Sequence, residues 1–350
     1  MIKASYHKYS LHFKIPGGTS RGVLHQKDTY FLLLRSGDNL GIGECGLFKG
    51  LSYDDRPDYE EKLQWAVDHM DREEDWLIES LRAYPSIQFG LEQAFLSLNS
   101  SRPFELFPSK FSTGKDSILI NGLIWMGKES FMKEQVRKKL QEGFTTLKMK
   151  IGAIDFTTEM NILEFVRKEF GPDELEIRVD ANGAFAIDEV NGKLEVLADL
   201  GIHSIEQPIR AGQHEIMAEL CVSSPIPIAL DEELIGVVSK EDKEALLTSI
   251  KPQFIILKPS LVGGFRGCRE WISSCDKLGI DWWITSALES NIGLNAIAQF
   301  TYMLDNKLPQ GLGTGSLFTN NIKSPLFVKG GALYTEPEGK WEDPLMFLKD

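Results

Sequence analysis

Eight short apolar runs succeed one another in the region after Ser117, and each ends in a polar residue or a glycine. They are ILINGLIW, TTLKMKI, LEIRVD, IHSIEQ, IPIALDE, FIILKPS, IDWWITSA and a weaker PQGLGTG. Their landmarks are Asn121, Lys150, Asp180, Glu206, Asp231, Lys258, Ser286 and Gly313. Successive landmarks lie roughly 25 to 30 residues apart, the length of one strand–helix unit. Between the runs lie stretches with apolar residues at helical spacing, such as ESFMKEQVRKKLQEG, FTTEMNILEFVRKEF and SKEDKEALLTSI. Eight such units in series predict an α/β protein built on a (β/α)8-type TIM barrel. A doubly wound open sheet is the alternative. It normally has fewer strands, and no GxGxxG follows a strand here.

The first part of the chain has a different rhythm. YHKYSLHFKI, TYFLLLRSG and LGIGECG read as antiparallel strands with turns at Pro16-Gly17-Gly18 and Gly37-Asp38-Asn39. DYEEKLQWAVDHM and SIQFGLEQAFLSLNS read as helices. The expected organisation is an α+β capping domain over 1–110, a barrel over 111–323, and a tail, 324–350, that folds back on the cap. A chain of 350 residues is long enough for both domains.

Composition narrows the partners. The formal charge is -13, which argues against a general nucleic-acid binder. It leaves room for a small anionic substrate wherever lysines cluster in one cleft. Cys45, Cys221, Cys268 and Cys275 form no CxxC pair and no zinc spacing, so free thiols are expected. No apolar run approaches the ~18 residues of a membrane span. With no signal-peptide pattern at the N-terminus, the expected location is the cytoplasm.

The chemistry lies at the strand ends, because in such a barrel the C-terminal ends of the strands face the active site. Lys148 and Lys150 alternate with apolar residues and so share one strand face, an arrangement that costs energy unless anions lie opposite. Asp180, Glu206 and Asp231 end the next three runs, and Lys258 ends the one after. Taken singly, Asp180 before Ala-Asn-Gly reads as a helix cap, Glu206 as the start of a loop and Asp231 as an acidic helix start. Taken together, three carboxylates flanked by lysines suit a hard divalent cation. They also suit a lysine base whose pKa is lowered by a cationic neighbour or by the metal.

The series KMK, VDAN, IEQP, ALDE and LKPS resembles the enolase superfamily. It most resembles the branch with a lysine on each side of the metal, which includes muconate lactonizing enzymes, dipeptide epimerases and o-succinylbenzoate synthases. The likeness runs over almost the whole chain and implies a (β/α)7β barrel, in which a weak eighth unit is expected. Carried over by position, it implies that Asp180, Glu206 and Asp231 bind Mg2+, with Mn2+ as a substitute. Lys150 becomes the base, Lys148 its neighbour near the substrate carboxylate, and Lys258 the group on the opposite face. Asn182 and Glu232 become partners that orient the ligands.

The segment ITSALESNIGLNAIAQF is most similar to o-succinylbenzoate synthases, and Arg178 fits that branch as a substrate-binding residue. The implied reaction is the syn dehydration of 2-succinyl-6-hydroxy-2,4-cyclohexadiene-1-carboxylate to o-succinylbenzoate, a step of menaquinone biosynthesis. It passes through an enediolate on Mg2+, with Lys150 as base and then acid. GGTSRG, Gly17 to Gly22, is either a mobile loop that closes the site, with Arg21 on a substrate carboxylate, or a plain hairpin turn. Ser286, Ser290, Gly313 and Thr314 are expected to line the substrate pocket. The competing activity is racemisation of N-acylamino acids or dipeptides, which two opposed lysines also suit. The stretch Gly311-Leu312-Gly313-Thr314-Gly315 lacks the acidic residue with which epimerases hold an amino group.

Overall fold

The computed structural model describes residues 2–19, 22–102, 104–343 and 346. Three antiparallel strands come first, in the order β1 (Lys3–Thr19), β2 (Gly22–Ser36) and β3 (Asn39–Cys45). Strand β2 explains why the YFLLL of this run is apolar throughout. Tyr30, Leu32 and Leu34 pack on the cap helices α1 (Tyr59–Asp68), α2 (Glu74–Ser80) and α3 (Pro85–Asn99). Phe31 and Leu33, on the other face, pack with Ile292 and Ile322 of the barrel side. This part of β2 is therefore buried on both faces, like a strand inside a larger core. Arg82 adds a polar tie between the two units: its guanidinium donates to both carboxylate oxygens of Glu270, at 3.0 and 2.9 Å, and to Val238 O.

The alternating glycines of LGIGE are explained by this packing. A Cβ on Gly43 would stand 1.9 Å from Gly90 O of α3, and one on Gly41 would stand 2.2 Å from Ala94 O. Backbone meets backbone there, so no side-chain rotation relieves the clash. Gly43→Ala is therefore expected to destabilise the fold by roughly 2–4 kcal/mol. Thermal unfolding checks this, and an unchanged melting temperature would mean that α3 can shift away.

The barrel follows. Seven parallel strands stand side by side in chain order: β5 (Gly122–Ile124), β6 (Thr146–Lys150), β7 (Glu176–Asp180), β8 (Ser204–Glu206), β9 (Ile228–Leu230), β10 (Phe254–Leu257) and β11 (Asp281–Ile284). Single-residue parallel bridges, Ile120 with Gln310 and Thr285 with Gly311, join the two ends of the sheet. The eighth run is thus reduced to a closing seam, which makes this a (β/α)7β barrel. A Cβ on Gly311 would lie 2.3 Å from Thr285 Oγ1, so this glycine, which weakens the run in sequence, lets it fit. The first run also differs from its reading. Asn121 is not its end, because the strand continues through Ile124 and its top is at Trp125.

The connecting helices α4 (Glu129–Gln141), α5 (Phe156–Arg167), α6 (Val190–Asp199), α7 (His214–Ser223), α8 (Lys240–Ile250), the short α9 (Pro259–Val262), α10 (Gly264–Leu278) and α11 (Asn291–Met303) surround the strands. Their apolar faces and the outward strand residues make one continuous core. In the tail, β12 (Leu326–Lys329) and β13 (Ala332–Thr335) pair with β4 (Ser117–Leu119), next to the first barrel strand. Beyond them, Trp341 stacks on Phe104 at 4.1 Å and packs against the cluster that holds Phe31 and Leu33. All four cysteines are free and buried. Among the described residues, no helix is long and apolar enough to cross a membrane.

Candidate active site

Strand register assembles the charged groups. Lys150 pairs with Asp180 across β6 and β7, and Asp180 pairs with Glu206 across β7 and β8. Asp231 and Lys258 directly follow β9 and β10. Three carboxylates and three ammonium groups therefore meet at one end of the barrel. Lys148 Nζ donates to Glu206 Oε2 and lies 3.0 Å from Asp180 Oδ2. Lys150 Nζ donates to the same Asp180 oxygen at 3.0 Å and to Asn182 Oδ1 at 2.8 Å. Lys258 Nζ donates to Asp231 Oδ2 and stands 3.9 Å from Glu206 Oε1. The anions that the lysine pair of β6 requires are the ends of the next three strands.

Asn182 and Glu232 are next to this array. Asn182 takes a left-handed backbone, φ 45°, which lets its N–H donate to Asp180 Oδ1 at 3.0 Å. Its side-chain amide donates to Glu232 Oε1 at 3.0 Å, while its carbonyl oxygen faces Lys150. Asn182 thus links Lys150, Asp180 and Glu232 in one hydrogen-bonded chain.

Burial gives the array its electrostatics. Burial, reinforced by Asp180 and Asp231, pushes the Glu206 carboxyl well above the usual range. Asp180 moves the other way: burial opposes ionisation, but Lys148, Lys150 and Lys258 together outweigh it. Burial also acts to lower Lys148, yet Asp180, Glu206 and Asp231 hold its ammonium above the ordinary lysine range. Lys258 is held up in the same way by Asp231 and Glu206. In the chain by itself, the carboxylates and not the neighbouring ammonium set the direction at Lys148.

The donor set fits a hard divalent cation. It is all carboxylate, and Glu206 Oε1 is buried with no hydrogen-bond donor among the described residues. As they stand, however, the carboxylates are bridged pairwise by lysines. Among the described residues, no three His, Cys, Asp or Glu side chains close on one point.

Over the array opens a cavity of ≈ 820 Å³ including its mouth. Lys148, Lys150, Lys258, Asn182 and Glu232 line one side. Ser286, Gly313 and Thr314 line it as well, with Thr314 Oγ1 donating to Ser286 Oγ at 2.9 Å. Apolar side chains that the sequence reading left out, chief among them Phe48, Leu51, Trp125 and Leu288, line much of the rest, together with Asn121 and Thr285. Phe48 and Leu51 come from the capping unit, whose β1–β2 hairpin also reaches the site. A Cβ on Gly17 would lie 3.3 Å from the Trp125 ring. At the end of that hairpin Thr19 pairs with Gly22. Arg21 lies outside the described residues.

Two expected pocket residues are placed elsewhere. Arg178 is on the same strand face as Asp180 but one layer deeper in the barrel. Its guanidinium donates to Glu176 Oε1 at 2.7 Å and Pro309 O at 2.9 Å, and lies 4.2 Å from the Trp283 ring centre. Ser290 is spent on helix capping: its Oγ accepts the Ile292 N–H at 3.1 Å and donates to Glu44. Neither lines the cavity.

The sequence model of the enolase C-terminal domain-like family matches residues 131–339. The o-succinylbenzoate synthase of Desulfotalea psychrophila is 45% identical over 95% of this chain and 98% of its own length. The chain belongs to the enolase C-terminal domain-like family. The crystal structure of MenC from Desulfotalea psychrophila LSv54 superposes with a TM-score of 0.85 at 41% identity, over 95% of this chain and 99% of that one. The muconate lactonizing enzyme of Pseudomonas fluorescens, complexed with muconolactone, superposes with a TM-score of 0.83 at 21% identity, over 100% of this chain and 99% of that one, which shows a shared fold.

Proposed function

We propose that the chain is a lyase, an o-succinylbenzoate synthase acting in the cytoplasm on a small anionic substrate in menaquinone biosynthesis. The observation that carries this reading is the full-length likeness to such an enzyme in a chain whose lysines flank one cavity. Asp180, Glu206 and Asp231 would hold Mg2+, or Mn2+ in its place. Bound there, the ion supplies positive charge against the substrate carboxylate and the electron density that builds up beside it.

The chain's own residues account for the proton transfers. Lys150 Nζ takes the ring proton next to the carboxylate, forming the anionic intermediate. The same Lys150, now protonated, gives that proton to the ring hydroxyl, which leaves as water while the ring becomes aromatic. One group serving both steps on one face is what a syn elimination requires. Lys148, fixed between Asp180 and Glu206, positions the carboxylate end. Lys258, reached from the other side of the array, stabilises the intermediate through its charge. Phe48, Leu51, Trp125 and Leu288 offer the ring an apolar wall and exclude water from it. Ser286, Gly313 and Thr314, which line the cavity, take the succinyl arm, and Arg178, held by Glu176 and Pro309, supports the barrel interior.

Purified protein should convert the cyclohexadiene to o-succinylbenzoate, followed by absorbance. EDTA should stop turnover, and Mg2+ or Mn2+ should restore it. N-succinyl amino acids serve as the competing substrates. Racemisation of these with no dehydration of the cyclohexadiene would assign the site to proton exchange instead.

A further inference from the structure

The three carboxylates of the array stand on three strand ends, and one buried side chain joins those ends. It is Gln207, the residue after Glu206, fully buried and no part of the cavity wall. Its backbone is left-handed, φ 41°, a conformation that residues other than glycine seldom hold without compensation. The compensation comes from both neighbouring strands. Gly183 N–H donates to Gln207 O at 2.7 Å, and Gln207 N–H donates to Ala229 O at 2.9 Å. Gly183 is three residues beyond Asp180, and Ala229 is two residues before Asp231. The main chain of Gln207 thus ties its own strand to the segments that carry the other two carboxylates.

The side chain adds a second link to Asp231. Gln207 Oε1 accepts from Asp231 N and Glu233 N, each at 3.3 Å. These N–H groups lie at the start of a single helical turn, whose first internal bond runs from Leu234 N to Asp231 O at 3.0 Å. The turn itself therefore offers them no acceptor. Gln207 Nε2 donates to Ile209 O at 3.1 Å and to Glu233 Oε2 at 2.9 Å. Two donors on the oxygen side and two acceptors on the nitrogen side leave the amide one orientation. The buried Glu233 carboxylate is fixed in turn. Its Oε1 accepts the Gly212 N–H at 2.8 Å and lies 2.9 Å from Nε2 of the half-exposed His214. A polar chain His214–Glu233–Gln207 thus runs from the first residue of α7 to the backbone of Asp231.

On the reading that Asp180, Glu206 and Asp231 take a divalent cation, we infer that Gln207 is a positioning residue for that site: its amide and main chain lock the ends of β7, β8 and β9 in fixed relation. The three carboxylates are bridged by lysines as they stand. They can leave the lysines for one shared cation by side-chain rotation only if their backbones stay in place. An amide is required at this position. A carboxylate would set oxygen against Ile209 O and Glu233 Oε2, and a shorter side chain would not reach Asp231 N.

Gln207→Gly and Gln207→Glu test this in the full-length chain. Glycine keeps the left-handed backbone and removes the amide, whereas glutamate keeps the length and reverses the nitrogen side. Both are expected to bind Mg2+ about 10–100-fold more weakly than wild type in titration calorimetry, the range for losing a group behind a ligand. Exchange of the Asp231 and Glu233 amide hydrogens, followed without metal, should quicken by about tenfold or more in Gln207→Gly, while amides inside β7 and β9 keep their protection. A Gln207→Gly chain that unfolds at lower urea but binds Mg2+ as tightly as wild type would overturn the inference, because its role would be structural only. Unchanged exchange at Asp231 would overturn it as well. If neither variant folds, Glu233→Gln decides. It leaves Gln207 in place but deprives either Gln207 Nε2 or Gly212 N of its acceptor, so weaker Mg2+ binding supports the lock and unchanged binding overturns it. A wild-type chain that binds no Mg2+ sinks the cation reading alone, and the exchange comparison still decides whether Gln207 locks Asp231.

Discussion

Lys150→Ala is expected to lose turnover by about 10³–10⁴-fold while keeping its fold, because one side chain serves as both base and acid. The structure explains why these two properties separate at this residue. Lys150 is at the cavity edge of the array, and its removal orphans little. Asp180 keeps Lys148 at 3.0 Å and the Asn182 N–H at 3.0 Å. Lys148 is different. It is the donor to Glu206, a carboxyl already strained by burial, so its loss would cost stability as well as activity. Lys150→Arg should be almost as inactive as the alanine variant, since a guanidinium keeps the charge but does not give up its proton to become a base. Single-turnover absorbance and thermal unfolding, run on the same preparations, check both halves. Retained dehydration in Lys150→Ala would remove the base assignment.

The array was readable in sequence because two periodicities act together. The βα spacing brings every landmark to one end of the barrel, and strand alternation fixes which side chains face inward. Lys148, Lys150, Asp180, Glu206, Asp231 and Lys258 needed nothing more. What alternation leaves open is depth. Arg178 shares a face with Asp180, but two residues back along a strand is one layer down, where Trp283 and Pro309 already enclose it. Ser290 was misplaced for another reason. The hydroxyl that would line a pocket instead caps α11 and meets a carboxylate from the other domain, 246 residues earlier. Contacts of that range leave no local trace. The apolar wall was invisible because Phe48, Leu51 and Trp125 look like ordinary core residues until the cap is seated. The eighth strand was weak in sequence partly because Gly311 answers a steric demand of Thr285 and not a hydrophobic one.

Asp180→Asn should separate the metal from the lysines. The substitution keeps the shape of the side chain and removes one negative charge at the point where two ammonium groups converge. Loss of a partner behind a ligand typically costs ~10–100-fold in metal affinity, so loss of a ligand charge should cost at least about 100-fold. Titration calorimetry with Mg2+ reads this directly, without reference to turnover. A second consequence appears with EDTA present. Lys148 and Lys150 then face each other with one anion fewer, and the melting temperature should fall relative to wild type under the same conditions. Charge sign decides between this account and a simple packing role. If Asp180 served only to fill space, Asn would leave both Mg2+ affinity and metal-free stability near wild type. If it is the shared anion, both fall together, and added Mg2+ rescues the wild type but not the variant.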